Sequence, residues 1–170
     1  KIDFDKINDY AHLISGNDCF FCIGTTKKQT PSKIKYINTE YKLPVKIAKL
    51  AKDNNVDSFI YVSSGGANKN SKNLYLQNKG KAESEIKKLS FNFIAIIKPS
   101  LLLGIRNETR IGESIAKFFF KKLSFIFIGK MRSFKAIPAI DVAKAIIKIV
   151  ENKDSGIYFT SDKLEDFAKL

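Results

Sequence analysis

Ser58-Phe59-Ile60-Tyr61-Val62-Ser63-Ser64-Gly65-Gly66 is the stretch that decides the fold. Its apolar, β-prone centre reads as a strand buried on both faces. Serine hydroxyls follow, and the paired glycines let the chain turn sharply.

Working outward, the same pattern recurs on either side. Upstream, Asp18 to Ile23 (DCFFCI) is a short apolar run that stops at Gly24. Downstream, Phe91 to Ile97 (FNFIAII) ends at Lys98-Pro99. A helix is expected from near Leu43, with Pro44 tolerated in its first turn and Leu43, Ile47, Leu50 and Ala51 at helical spacing. A second helix is expected from Asn73 to Leu89. Apolar strands alternating with helices predict a parallel α/β sheet. Further on, helices are expected at Ile111–Lys122 and at Ala139–Glu151, where Asp141 favours the first turn. A late strand, Gly156 to Thr160, and a short helix after Ser161 complete the pattern. The chain has no internal repeat and no low-complexity linker, so residues 1–170 read as a single domain.

The strand at Asp18–Ile23 should have neighbours on both sides. Lys1 to Ser15 offers only a short strand end (KIDF) and a helix-like stretch, too little for a doubly wound sheet. The expectation is therefore a C-terminal portion of a larger sheet, because an apolar strand left at an edge invites mispairing.

The formal net charge of +13 raises the question of a polyanionic partner. Nearly all of the positive charge is lysine, with Arg106, Arg110 and Arg132 the only arginines. Arginine supplies the bidentate contacts to bases and phosphates, so specific nucleic-acid binding is not expected. No apolar run reaches the roughly 18 residues that span a bilayer, and the first residues lack the apolar core of a signal peptide. A cytoplasmic location is the expectation. Cys19 and Cys22 form a C-x-x-C, but three residues apart on a strand they point to opposite faces. They read as buried, inert thiols, and with His12 unaccompanied no metal site is expected. His12 itself reads as a helix-surface residue.

Chemistry concentrates at Tyr75 and Lys79, four residues apart and so on one face of the second helix. Stepping on from Lys79 gives Ala82, Ile86 and Leu89, the apolar stripe. A lysine that faces the core needs a partner or a task. A phenol beside such an ammonium should titrate below its usual value of about 10, as a general acid or base requires. The plainer alternative is a half-buried tyrosine with a snorkelling lysine. Ser64 ends the preceding strand, on the side where parallel sheets bind ligands, near enough for a loop to bring its hydroxyl to the phenol.

Four motifs now stand in order: Cys22-Ile23-Gly24-Thr25-Thr26, Tyr61-Val62-Ser63-Ser64-Gly65-Gly66-Ala67, Leu74-Tyr75-Leu76-Gln77-Asn78-Lys79-Gly80 and Lys98-Pro99-Ser100-Leu101-Leu102-Leu103-Gly104. Together they resemble the atypical short-chain dehydrogenases/reductases, in particular the Tat-interactive-protein-2-like oxidoreductases and their bacterial relatives. The resemblance covers roughly Lys1 to Phe120. It implies a Rossmann-type fold, here a partial doubly wound sheet lacking its first strand–helix units, with substrate-side elements over roughly 104–170.

It also implies roles. Tyr75 would protonate a substrate carbonyl as hydride arrives from a nicotinamide. Lys79 would lower the phenol's pKa and hydrogen-bond the nicotinamide ribose. Ser64 would orient the carbonyl, with Ser63 as the alternative. Gly24 and Thr25 would lie against the cofactor, Pro99, Ser100 and Leu101 would line the nicotinamide pocket, and Asp3 and Phe4 would meet the adenine. The cofactor would be NADP or NAD, with NADP favoured. Two departures stand out. The family's glycine-rich loop, which holds the pyrophosphate at a helix N-terminus, is not in this sequence. Lys98 stands where relatives often carry arginine.

The expected function is thus an NAD(P)H-dependent oxidoreductase or epimerase-like enzyme acting on a small carbonyl compound, with room for a homodimer. The alternative is a non-catalytic NAD(P)H-binding regulator or scaffold, since fold alone does not fix function. The Phe-rich segment Lys117 to Ile128 (KFFFKKLSFIFI) is expected to cover the substrate side of the sheet, rather than to lie on an anionic membrane.

Overall fold

The computed structural model describes residues 2–103, 129–154 and 157–170. The expected helix at Ile111–Lys122, the segment Lys117–Ile128, Gly104 and Gly156 lie outside them. Contacts divide the chain into two compact units, Lys1–Ile97 and Lys98–Leu170.

The first unit is built on three parallel strands, β1 (Asp18–Phe21), β2 (Ser58–Val62) and β3 (Phe93–Lys98), paired in that order. The register aligns Cys19 with Phe59 and Ile94, and Phe21 with Tyr61 and Ile96. These side chains share one face and form the core with Leu43, Ile47, Ala48, Ala51, Ala82 and Ile86 from the connecting helices. On the opposite face Ile60, Ala95 and Ile97 are buried, whereas Phe20 of β1 is 50% exposed. Among the described residues β1 lies at the edge of the sheet and only Phe21 in it is fully buried, so the expected burial on both faces is not seen within this chain. Cys19 is half-buried and Cys22 exposed, so the expectation of two buried thiols is corrected.

The start of the chain is not a strand end. Asp3 caps a 3-10 helix, Phe4–Leu13, by accepting from the Asp5 amide at 3.0 Å. KIDF alternates polar and apolar residues, but Ile2 and Phe4 are each 43% exposed, and Ile7 is the residue that anchors the segment in the core. His12 is exposed, as expected.

The first crossover helix begins at Lys33, not near Leu43. Ser32 caps it, accepting from the Lys35 amide at 3.4 Å. The helical run comprises α1 (Lys33–Ile37), a π-type turn (Asn38–Lys42) and α2 (Leu43–Asp53). In the π turn the Leu43 amide donates to the Asn38 carbonyl, five residues back. Pro44 explains the wider turn. It has no N–H for the Glu40 carbonyl, and its ring would press on that group in an ordinary α register.

The second crossover helix, α3 (Leu74–Ile86), is capped by Asn73, whose side chain accepts from the Tyr75 and Leu76 amides. A 3-10 turn, Lys87–Leu89, extends it, and Ser90 ends it in a left-handed conformation. Lys79, Ala82 and Ile86 are buried along one stripe, as the sequence predicts. Gly80 lies against the loop before the helix. A Cβ there would come within 2.3 Å of the Lys69 amide nitrogen, so only glycine permits the approach.

In the second unit, β4 (Leu102–Leu103) pairs in parallel with β5 (Ile137–Pro138). A 3-10 helix, Gly129–Phe134, precedes β5. Then come α4 (Ala139–Asn152), the strand β6 (Tyr158–Thr160) and α5 (Ser161–Phe167). Val142, Ala145, Ile146 and Ile149 form the buried stripe of α4, and Asp141 stands in its first turn. No helix among the described residues is long and apolar enough to cross a membrane.

Candidate active site

The carboxyl ends of β1 and β2 and the first turns of α3 bring the expected reactive residues of the first unit together. Tyr75 lies in the first turn of α3, where Asn73 holds its amide. Lys79 follows one turn later and is 4% exposed. Its ammonium donates to the Val62 carbonyl at 3.3 Å, at the last residue of β2. The same Nζ sits 5.0 Å from the Tyr61 ring centroid and 5.9 Å from that of Tyr75. The core-facing lysine has found its partners, as a buried ammonium must.

The strongest of these partners is Glu40, a residue the sequence reading did not single out. Glu40 is 1% exposed, and its Oε2 faces Lys79 Nζ at 3.2 Å. Its Oε1 accepts from the Thr25 amide. Gly24 makes room for this carboxylate, since a Cβ at that position would lie 3.3 Å from Oε1. Thr25 also exchanges a hydroxyl hydrogen bond with Thr30 at 2.7 Å. A signal for Glu40 did exist in the sequence. It keeps helical spacing with Tyr36, Leu43 and Ile47, all of them buried, so it sits on an apolar stripe exactly as Lys79 does on its own.

The two serines after β2 part company. Ser63 is buried and donates to Glu83 of α3, while its amide donates to the Ile97 carbonyl. That hydroxyl is committed to joining β2 to α3. Ser64 is half-buried, its hydroxyl donates to the Gly65 carbonyl at 3.3 Å, and it stands near enough to Tyr75 to pull the phenol's pKa down. Of the two, Ser64 is the one placed to share a ligand oxygen with the phenol. Gly66, with φ of +79°, supplies the left-handed turn that follows.

The electrostatics differ from the expectation in one respect. Tyr75 titrates above the usual tyrosine value rather than below it. Burial is the main cause. The Ser64 hydroxyl pulls the other way, and the Glu40 carboxylate pushes further upward. Lys79 does not lower it, because its charge is set against Glu40. Tyr36 rises to about 12, through burial and then through Glu40 and Tyr75. Although Cys22 is exposed as a residue, desolvation raises both thiols, Cys19 to about 11 and Cys22 against the lowering pull of Lys79, so neither is an activated thiolate. Among the described residues no group of three His, Cys, Asp or Glu side chains could hold a metal ion.

The remaining expected cofactor residues are placed as follows. Gly24 is exposed and Thr25 half-buried, in the turn after β1. Asp3 is occupied as a helix cap and Phe4 is 43% exposed. In the second unit Pro99 is buried and Leu101 is 45% exposed. The Ser100 hydroxyl donates to the Phe134 carbonyl at 2.7 Å, and its amide donates to the Ser161 hydroxyl at 2.8 Å. Lys98 lies over the Tyr158 ring at 5.2 Å.

The gathered residues of the first unit fit the nicotinamide-riboside end of a dinucleotide. Gly24 leaves the backbone of its turn uncovered, and Lys79 presents a fixed ammonium beneath Tyr75. No residue set for the pyrophosphate accompanies them in the sequence.

No family model matches the chain. It is 33% identical over 156 residues to the HTATIP2 protein of Rattus norvegicus, a match covering 91% of this chain and 62% of that protein. It is 34% identical over 148 residues to the mitochondrial protein FMP52 of Meyerozyma guilliermondii, covering 85% and 62%. The chain thus spans about 62% of the length of either relative. Among solved structures it superposes on UDP-glucose 4-epimerase of Thermotoga maritima with a TM-score of 0.63 at 13% identity, over 88% of this chain and 58% of that one. The Bordetella bronchiseptica enzyme WbmH, solved with NAD+, gives 0.62 at 18% identity, over 94% and 57%. At such identities the superpositions establish the fold: a parallel α/β sheet of Rossmann type.

Proposed function

We propose that this chain, an HTATIP2/FMP52-like protein of the short-chain dehydrogenase/reductase superfamily, carries the acid–base half of an NAD(P)H-dependent oxidoreductase or epimerase-like site that acts on a carbonyl group. The observation that carries the proposal is the buried Lys79, whose ammonium lies 5.9 Å from the Tyr75 ring and 3.3 Å from the last carbonyl of β2. A tyrosine and a lysine at i and i+4 are common. A lysine turned into the core beneath that tyrosine, at the carboxyl ends of parallel strands, is a costly arrangement that ordinary packing does not call for.

Gly24, Thr25 and Lys79 are the residues that would hold the nicotinamide riboside, and the bound cofactor supplies hydride. The protein's own part is proton management. Tyr75, titrating above its usual value, is protonated at neutral pH and so is a donor to a carbonyl oxygen. Ser64, whose hydroxyl stands near that phenol, orients the same oxygen. Lys79, paired with Glu40, does not lower the phenol's pKa; its part is to hold the ribose beneath Tyr75. Raised acidity thresholds favour carbonyl reduction over alcohol oxidation near neutral pH.

One observation favours a second reading, a cofactor-responsive regulator. Glu40 cancels the charge with which Lys79 would otherwise activate the phenol. The two readings separate in a single assay of the full-length protein. NAD(P)H oxidation is followed against a panel of aldehydes, ketones and keto-sugars, for the wild type and for Tyr75→Phe. Turnover that Tyr75→Phe abolishes supports the enzyme. Saturable NAD(P)H binding with no turnover in either protein supports the regulator.

A further inference from the structure

We propose that Glu40 is a positioning residue of this site, whose carboxylate ties the Gly24–Thr25 turn to the ammonium of Lys79, so that what engages the turn also sets the lysine. The inference rests on the reading of Tyr75 and Lys79 as the reactive pair.

The geometry is that of a bridge. Oε1 accepts from the Thr25 amide and Oε2 faces Lys79 Nζ at 3.2 Å. A carboxylate 1% exposed is very costly unless its oxygens are answered, and here one is answered by each side of the site. The chain is shaped around the contact at both ends. Gly24 lacks the Cβ that would crowd Oε1, and the π turn beside Pro44 carries Glu40. Lys79 is held on its other side by the Val62 carbonyl. Its ammonium is thereby fixed relative to β2, the β1 turn and the Tyr75 ring together.

The consequence is linkage. A ligand oxygen that takes the Thr25 amide competes with Glu40 for it, and a carboxylate released from that amide has Lys79 as its remaining partner. Engagement of the turn and placement of the lysine then change together. The groups that share this environment are Tyr36 from α1, Cys22 after β1, Tyr61 from β2, and Tyr75 and Glu83 from α3.

The test reads Tyr75 and Thr25 directly, with no cofactor or substrate present. Tyrosine Cζ resonances of the wild type, Glu40→Gln, Glu40→Asp and the surface control Glu85→Gln are titrated by carbon-13 NMR. Glu40→Gln removes a charge that opposes the phenolate and leaves Lys79 uncompensated, so the Tyr75 ionisation constant should rise about tenfold. Glu40→Asp keeps the charge and should leave the Tyr75 midpoint close to wild type, as should Glu85→Gln. The Thr25 amide resonance should move in both Glu40 variants, since the shorter aspartate cannot span both partners, and not in Glu85→Gln. A Tyr75 midpoint in Glu40→Gln that matches the control overturns the proposal.

If Glu40→Gln does not fold, Lys79→Met carries the test. Its Thr25 amide should shift because the carboxylate it donates to has lost its counter-ion, and an unmoved amide overturns the bridge. The outcome is separable from that of the enzyme reading. A shifted Tyr75 in a protein without turnover defeats only the enzyme. Turnover with an unshifted Tyr75 defeats only the role of Glu40.

Discussion

Glu40 and Lys79 form an ion pair of 3.2 Å, with side chains 1% and 4% exposed, that joins the first crossover helix to the second. In water such a pair is worth little, but here neither charge can return to solvent without opening the core. The attraction and the desolvation cost are both large, and the pair holds only while both members are present.

Removing one member alone should therefore be severe. Lys79→Met and Glu40→Leu should each cost about 3–5 kcal/mol, because each strands the opposite charge. The double variant should cost much less than the sum of the two, with apolar side chains meeting where the charges were. Urea unfolding at pH 7 measures all three, and additive costs would argue against the pair.

Much of this site was legible in the sequence, and the reasons are specific. Lys79 could be placed in the core because Ala82, Ile86 and Leu89 mark its stripe, and Asn73 marks the start of the helix by cap chemistry. Glu40 escaped because the crossover helix was taken to begin at Leu43. The polar run from Thr25 to Lys35 hides the Ser32 cap, and Pro44 suggests a first turn where the chain is already in its third. With Glu40 unseen, the sign of the Tyr75 shift could not be right. A charge partner from another helix is a matter of tertiary packing, which periodicity along one helix does not report. Ser63 and Ser64 looked alike for the same reason, until Glu83 claimed one of them.

A second prediction concerns Tyr61, whose buried hydroxyl has no hydrogen-bond partner among the described residues. Tyr61→Phe should leave stability at pH 7 unchanged or raise it by up to about 1 kcal/mol, since it removes an unanswered polar atom. The same residue shapes the alkaline limb. Tyr36, Tyr61 and Tyr75 all titrate above 10 in the folded protein, chiefly because burial disfavours their phenolates. Their contribution is fully present below the unfolded value near 10 and is lost as pH rises from there toward the folded values. Urea midpoints should fall from pH 10 upward, and Tyr61→Phe should fall less steeply than the wild type. Parallel pH curves for the two proteins would contradict this.

Gly80 yields a third. A Cβ at this position would lie 2.3 Å from the Lys69 amide nitrogen and 2.4 Å from the Asn68 carbonyl carbon, both backbone atoms that cannot rotate away. Gly80→Ala should destabilise by about 1–3 kcal/mol, despite the better helix propensity of alanine. It should also disturb Tyr75, because the displaced loop lies against the turn of α3 that carries both reactive residues. Thermal melting and the Tyr75 NMR resonance report the two effects. A Gly80→Ala variant more stable than wild type would show that the loop yields freely.

If the Tyr75 phenol delivers a proton to a carbonyl oxygen as hydride is transferred, isotope transfer will show it. Full-length protein is given NAD(P)H deuterated at the nicotinamide C4 and a carbonyl compound selected from the panel, and deuterium in the alcohol product is quantified by mass spectrometry. Deuterium should appear on the former carbonyl carbon, at a rate that falls by about 10²–10⁴-fold in Tyr75→Phe. Deuterium transfer by Tyr75→Phe at the wild-type rate would contradict proton delivery by the phenol.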